Sequence, residues 1–364
     1  MGEVTEFRPG LEGVVAVETE IAEPDREGGA LRYRGVDIEE LVGPVPYEKV
    51  WGLLVDESLE PGMPEPEPYE PRALTGNAPA DAQAEIARLS GVWGLRKLTE
   101  IDDPQARDDL GRLSAQVMAL VARSARVADG HTDSVPDDLV AEGATAAEKF
   151  LLRWRGTAEP SHVTAIDTYW ICTAEHGLNA STFTARIAAS TGADAGAALS
   201  AAIGTLSGPL HGGAPAHVIP MVDEAAATGD YERYVEDLLS RGDRIMGFGH
   251  RVYRAEDPRA RLLRTTAEKL GSPRVEAAKA LEVAALAALQ KRHPERVLAT
   301  NVEYWAAVVL DVADIPAKLT PAMFACARVA GWSAHVLEQK RVARLIRPSA
   351  RYTGPGPRPL SSLA

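Results

Sequence analysis

The sequence predicts an all-α protein with one short N-terminal β-hairpin, on three observations. Apolar residues recur at helical spacing from Asp81 to Lys340, cap-type residues and prolines stand where those stretches begin, and strand-like alternation is confined to the first 34 residues. In order, residues 14–21, a Gly- and Asp-rich turn from Asp25 to Gly29, and residues 31–34 read as the hairpin. Asp37 opens a short helix and 47–57 form another. The next stretch, from Glu60 to Pro71, holds five prolines and four glutamates and reads as a stiff acidic surface loop without assigned chemistry. Helices follow over 81–98 and 103–126, the second with Asp103 as N-cap and Pro104 at the first helical position. After a break from Gly130 to Pro136, helical spacing returns over 144–155, then from Ser161 in one long stretch to about Ser190, and from Asp194 as cap to Leu206. Further helices are expected at 231–240, 258–270, 274–291, 300–311 and 321–340, the last capped by Thr320 ahead of Pro321. No internal repeat occurs, which disfavours a solenoid.

With 364 residues, 45% of them hydrophobic, the chain buries a large core in two or three lobes. No apolar run approaches the ~20 residues a bilayer requires. The first ten residues are polar with two glutamates, unlike a signal peptide, so a soluble cytoplasmic protein without membrane association is expected. Cys172 and Cys326 sit in apolar helix-like stretches, outside any C-x-x-C or metal-ligand pattern, and read as buried thiols; no metal is expected. A net charge of −13 argues against nucleic-acid binding. The positive charge is concentrated: the tail from Gln339 onward carries +6 and the stretch 241–264 carries +4, leaving −23 on everything else. That distribution suits an anionic ligand drawn into an otherwise acidic body.

Five places stand out chemically. His250 lies in the loop from Gly247 to Arg259, among seven arginines of the 241–264 island, and suggests an anion site, although a solvated basic turn has the same charge. His211 lies in a run of Gly and Pro from Ser207 to Pro215. At the mouth of a following helix it would stay neutral and donate to a developing oxyanion; an ordinary turn histidine fits too. Glu303 is the only charged residue between Val297 and Leu310, so burial would raise its pKa toward that of a usable base, unless it points to water. Arg328 is alone among the apolar residues 321–337 apart from His335, and its planar fork suits a carboxylate, from a bound acid or from an internal aspartate. His176, Asn179 and Phe183 fall on one helical face, where His176 alone would be a satisfied core histidine. Phosphate loops, dinucleotide fingerprints, H-E-x-x-H and G-x-S-x-G are absent from the sequence. The set that remains fits proton abstraction beside a carbonyl, with histidines managing charge on oxygen.

The strings S-G-P-L-H-G-G-A, I-M-G-F-G-H-R-V-Y-R-A-E-D-P-R, N-V-E-Y-W, C-A-R-V-A-G-W-S-A-H and I-R-P-S-A-R-Y-T-G, in this order, with L-R-Y-R-G-V-D-I near the start, resemble the citrate synthase family over nearly the whole chain. The resemblance implies a helical homodimer with a large domain (1–213 and 308–364) and a small one (214–307) that closes over oxaloacetate before acetyl-CoA reacts. It implies Glu303 as base for the acetyl methyl group, His211 on the enolate oxygen, and His250 polarising and protonating the oxaloacetate ketone. Arg259, Arg328 and His176 would hold the dicarboxylate, Arg347 would reach in from the other subunit, and Arg254 would meet the phosphates of CoA. No cofactor is implied, since the CoA thioester is a substrate. Propionyl-CoA, giving 2-methylcitrate, is the nearest variant; a catalytically silent relative that senses CoA or a dicarboxylate is a different class. Two residues depart from the family pattern: Glu303 stands where aspartate is usual, and Gly177 follows His176 where an acid is common. The absence of an extra N-terminal domain is closer to the simple dimeric form than to the NADH-regulated hexamers.

Overall fold

Helix starts in this chain are set by side chains that accept the first free N–H groups. In the computed structural model, which describes residues 7–25, 29–212, 217–249, 256–295 and 298–363, Asp37, Asp102, Thr145, Asn179, Asp194, Asp230, Asp257 and Asn301 each cap a helix in this way. Each such cap contributes about 1 kcal/mol. The helices are α1 (Ile38–Leu41), α2 (Tyr47–Asp56), α3 (Ala78–Val92), α4 (Asp103–Ala128), α5 (Asp137–Ala141), α6 (Ala146–Arg155), α7 (Pro160–Thr173), α8 (Ala180–Ser190), α9 (Ala195–Leu206), α10 (Val218–Thr228), α11 (Tyr231–Ser240), α12 (Pro258–Lys269), α13 (Val275–Arg292), α14 (Val302–Val312) and α15 (Thr320–Val342). The long helices α4 and α15 cross the core, with α2, α3, α7, α8 and α9 packed around α15, and Trp51, Trp170, Trp305 and Trp332 are fully buried. Helices α10 to α13 form a second group that meets the first through α7 and α14. Among the described residues no helix is long and apolar enough to cross a membrane.

The all-α expectation holds, with differences that have local causes. The sheet is a three-stranded antiparallel one, β1 (Ala22–Asp25), β2 (Ala30–Tyr33) and β3 (Val36–Asp37), with Ala22 opposite Tyr33 and Arg32 opposite Asp37. The expected strand at 14–21 is absent because its apolar side chains find no face to cover: Val15 is 86% exposed and only Ile21 enters the core. Asp102, not Asp103, caps α4; the Asp103 carboxylate instead takes Lys340 (2.7 Å) and Arg341 (2.7 Å) of α15. Leu319, not Thr320, occupies the N-cap of α15. Asp81 lies inside α3, where its carboxylate accepts the N–H groups of Thr75 and Gly76 and fixes the approach to the helix. The helix expected to follow the Gly and Pro run at 207–215 is α10, whose bounds the sequence leaves open because that run hides its start.

The largest difference is at 174–179, where the expected long helix breaks into α7 and α8. Gly177 takes a left-handed φ of 64°, and Asn179 caps α8 by accepting the N–H of Thr182. His176 and Asn179 therefore sit in a connection and do not share a helical face with Phe183. The hairpin holds that connection in place: the buried Tyr33 hydroxyl lies 2.9 Å from the Ile171 carbonyl and 3.1 Å from that of Glu175, and Gly331 N–H donates to the Ala174 carbonyl (3.2 Å).

Between α2 and α7, Asp167 takes the place of a missing cap. Pro46 offers α2 no side-chain acceptor, and Asp167 Oδ1 accepts the Tyr47 N–H at 2.9 Å. Burial pushes the Asp167 carboxyl up to about 7. The native state then holds a proton that the unfolded chain releases near pH 4, so this group's contribution is full below that pH and is lost as pH rises through 7. Asp167→Asn keeps the acceptor and removes the ionisation. The variant is expected to gain stability relative to wild type at pH 8 and little at pH 5, read as shifts in urea midpoints; an equal shift at both pH values refutes this.

Candidate functional site

A cleft of about 150 Å³ opens where α7, the 174–179 connection, the turn after α9 and the starts of α12 and α14 face α15. It brings together His176, His211, Arg259, Glu303 and Arg328, five of the eight expected site residues. His250 and Arg254 lie outside the described residues. Arg347 is exposed on the extended tail after α15, away from this cleft's lining; the tail is anchored by Ile346 N–H on Ser190 Oγ (3.1 Å).

Glu303 occupies the first turn of α14, positioned by its neighbours' backbone bonds. Asn301 Oδ1 accepts the Glu303 N–H (3.0 Å), and Asp257 Oδ2 accepts that of Val302 (3.1 Å). Burial raises the Glu303 carboxyl above its ordinary range; Arg259 pulls it down and Asp257 pushes it up, and the rise survives. Asp257 ties two helix starts together, since it also caps α12 and grips the Arg259 guanidinium through Nε (2.9 Å) and Nη2 (2.7 Å). Asn301 extends the arrangement to the loop singled out in the sequence: its N–H donates to the Gly247 carbonyl (2.9 Å) and its Nδ2 to that of Gly249 (3.1 Å). Gly247 has φ 88°, and a Cβ there would stand 2.6 Å from that of Tyr304, so the loop passes α14 at a distance only glycine allows.

His211 is half-buried, its Nε2 2.9 Å from Ser181 Oγ and its ring edge-on to Phe324. Its pKa falls to about 4, through burial and then the charge of Arg328. The imidazole is thus neutral, as the sequence suggested, but from desolvation; α10 begins only at Val218. Arg328 is 2% exposed, donates through Nε to the Thr173 carbonyl (2.9 Å) and stacks on Phe324, its Cζ 4.7 Å from the ring centre. Among the described residues its terminal nitrogens form no hydrogen bond. Burial lowers its pKa and the Glu175 carboxylate opposes that shift.

Glu175 sits behind the cleft and was not singled out by chemistry. It is fully buried, with Oε1 3.2 Å from His335 Nε2, while Arg186 Nη1 donates to His335 Nδ1 (2.7 Å) and its Nε to Gln339 (3.1 Å). Since arginine only donates, His335 carries its proton on Nε2 and gives it to Glu175. Burial pushes the Glu175 carboxyl up, but His335 and Arg328 outweigh it and leave it below the ordinary range. Gly331 makes the room: a Cβ there would lie 1.9 Å from Glu175 Oε2. Gly331→Ala is therefore expected to lower the melting temperature by several degrees, the cost of forcing a buried carboxylate and α15 apart; an unchanged melting temperature refutes the contact. Asn179, Tyr169 and Thr173 also line the cleft, and no local sequence signal marks the last two.

The cleft combines a raised carboxyl, a neutral imidazole and a buried cation whose terminal nitrogens are unbonded among the described residues. Such a set abstracts a weakly acidic C–H proton, stabilises the oxyanion and holds a carboxylate. A larger cavity under the proline-rich segment lacks this combination, so the smaller cleft is assigned by its chemistry.

The family described as "Citrate synthase, C-terminal domain" matches residues 10–349. A Mycobacterium tuberculosis protein provisionally named as a second citrate synthase is 56% identical over 97% of this chain and 94% of its own length. A citrate synthase of Haloferax volcanii is 35% identical over 96% of both chains. A 2-methylcitrate synthase of Shewanella oneidensis is 32% identical over 98% of this chain and 97% of its own. The solved citrate synthase of Thermoplasma acidophilum, in ternary complex with carboxymethyl coenzyme A and oxaloacetate, superposes with a TM-score of 0.82 at 28% identity, over 98% of this chain and 99% of its own.

Proposed function

The chain belongs to the citrate synthase family, an acyltransferase family, and from that premise we propose that the cleft condenses acetyl-CoA with oxaloacetate and releases citrate and CoA. The observation that carries the reading is Glu303, a buried carboxyl with raised pKa, opening onto the same cleft as neutral His211 and buried Arg328. Glu303 takes a proton from the acetyl methyl group while His211 donates to the thioester oxygen, so charge never builds on an unsupported enolate. The methyl carbon then attacks the oxaloacetate ketone, whose oxygen takes a proton from His250. Water finally cleaves the thioester, yielding the carboxylate of citrate and the CoA thiol. Arg328, Arg259 and His176 hold the two substrate carboxylates, and Arg254 meets the CoA phosphates. Residues 214–307 close over the bound dicarboxylate and exclude water until the carbon–carbon bond exists. The CoA thioester is a substrate and no cofactor is needed; the enzyme works in the cytoplasm as a homodimer.

Assay of thiol release with oxaloacetate and either thioester tests the reading. Acetyl-CoA is expected to give the higher kcat/KM. A strong preference for propionyl-CoA shifts the assignment to 2-methylcitrate synthesis, which the Shewanella relative favours as second reading; no turnover of either favours a silent binding protein.

Arg347 is exposed on the tail, as suits a residue delivered to a partner's cleft. If it is, subunits carrying Glu303→Gln and subunits carrying Arg347→Met, each inactive alone, should regain roughly a quarter of wild-type activity when mixed and reassembled, because one of the two sites in each mixed dimer is intact. Failure to complement puts Arg347 outside the partner's site.

A further inference from the structure

The proline- and glutamate-rich segment over 60–71, a featureless loop in the sequence, covers a cavity of about 790 Å³ walled by α4, α5 and α6 and sharing no residue with the catalytic cleft. Its acids are matched to bases below: Glu65 pairs with Lys149, Glu67 with Arg112 (2.9 Å) and Glu70 with Arg123 (2.8 Å), while the Tyr69 carbonyl accepts from Arg123 as well (2.8 Å). Those pairs hold the cover down and use up its acids.

Besides the exposed Asp137, two groups facing the cavity are left over among the described residues. Arg153, one turn after Lys149 on α6, forms no hydrogen bond or ion pair with any described residue; the nearest acidic influences, Asp137 and Glu65, act on it only at longer range, and burial lowers its pKa. Gln116 on α4 is 3% exposed, and among the described residues its buried Oε1 meets no donor. A guanidinium with no ion pair and an amide oxygen with no donor among the described residues, in a space of the size small-molecule sites occupy, together describe a ligand. The cation asks for a carboxylate. The amide asks for a hydrogen-bonding group, and a hydroxyl satisfies it in either orientation of the amide. The remaining wall, Ala119, Val135 and Val140 among it, offers apolar cover to a short carbon chain.

We propose that this cavity is a second binding site, taking a small hydroxy acid with its carboxylate on Arg153 and its hydroxyl on Gln116. The site does not depend on the reaction assigned to the cleft.

Titration calorimetry on the full-length protein tests it, with oxaloacetate present throughout so that the catalytic cleft is not the site observed. The probe is 2-hydroxybutyrate, with butyrate lacking the hydroxyl and 1,2-butanediol lacking the anion. We expect one saturable site per chain for 2-hydroxybutyrate, binding about tenfold weaker for butyrate, the effect of one buried hydrogen bond, and none for the diol. Arg153→Met should abolish binding. Gln116→Leu should leave butyrate unchanged and bring 2-hydroxybutyrate down to it, which keeps the test decisive even where the arginine variant folds poorly. Basal turnover should be unaffected in both. Absence of saturable binding, or binding that survives both substitutions, overturns the proposal.

Discussion

Replacing Glu303 by glutamine is expected to lower kcat by about 10²–10⁴-fold, the usual contribution of a positioned general base, with oxaloacetate binding unchanged. Glutamine fills the same volume and leaves the backbone bonds to Asn301 and Asp257 intact, so the loss isolates the proton transfer. Glu303→Asp is the more demanding test, because aspartate is the residue the family resemblance leads one to expect there. In this chain the start of α14 is held at both Val302 and Glu303, so the backbone cannot advance to make up for a shorter side chain. A displacement of about 1 Å can cost about 10²-fold, and we expect a kcat loss of that order. Wild-type kcat/KM should fall as the pH drops through a value above the ordinary glutamate pKa of about 4.3, because Glu303 must be ionised to act and its carboxyl is raised. His211, at about 4, stays neutral across that range and does not shape the limb. Turnover by Glu303→Gln close to wild type removes Glu303 as the base.

What could be read in advance follows from how each residue contrasts with its surroundings. Glu303 and Arg328 were legible because each is a lone charge in an apolar helix, and burial is the simplest fate of such a helix. His211 was legible from its glycines, and its neutrality was anticipated, though the cause is burial and Arg328, not a helix dipole. The break at 174–179 was not legible. Apolar spacing runs straight through it, and Asn179, a cap, satisfies the helical pattern as well as it does the break. In the sequence Asp257 is one acid in a basic island, yet it clamps Arg259 and both helix starts; that role depends on Val302, 45 residues away. The contacts of Glu175 with His335 and of His335 with Arg186 join residues 160 and 149 positions apart, so no local pattern announces them. Helix class is a local property and shows in local spacing; the layer behind the cleft is made entirely by tertiary contacts.

That layer bears on the second large effect, at Arg328. Its guanidinium is buried, tethered at Nε to Thr173, and offers its terminal nitrogens to the cleft. Truncating one partner of a buried charge pair costs about 2–5 kcal/mol, so Arg328→Met should raise the oxaloacetate KM by roughly 30- to 5,000-fold. Arg328→Lys should recover little, since an ammonium has neither the Nε bond nor the two-pronged fork. The methionine variant also takes from Glu175 one of the charges that stabilise its ionised form, leaving a buried carboxylate supported mainly by the Nε2–H of His335. Part of the damage should therefore be to stability, and the two parts separate. Adding Glu175→Gln to Arg328→Met removes the stranded charge while keeping an acceptor for His335, so the double variant should be more stable than Arg328→Met alone and equally poor at binding oxaloacetate. Urea midpoints and KM measured on the three proteins decide it. An oxaloacetate KM unchanged by Arg328→Met removes this residue from the substrate site; a double variant no more stable than the single one removes Glu175 as its counter-charge.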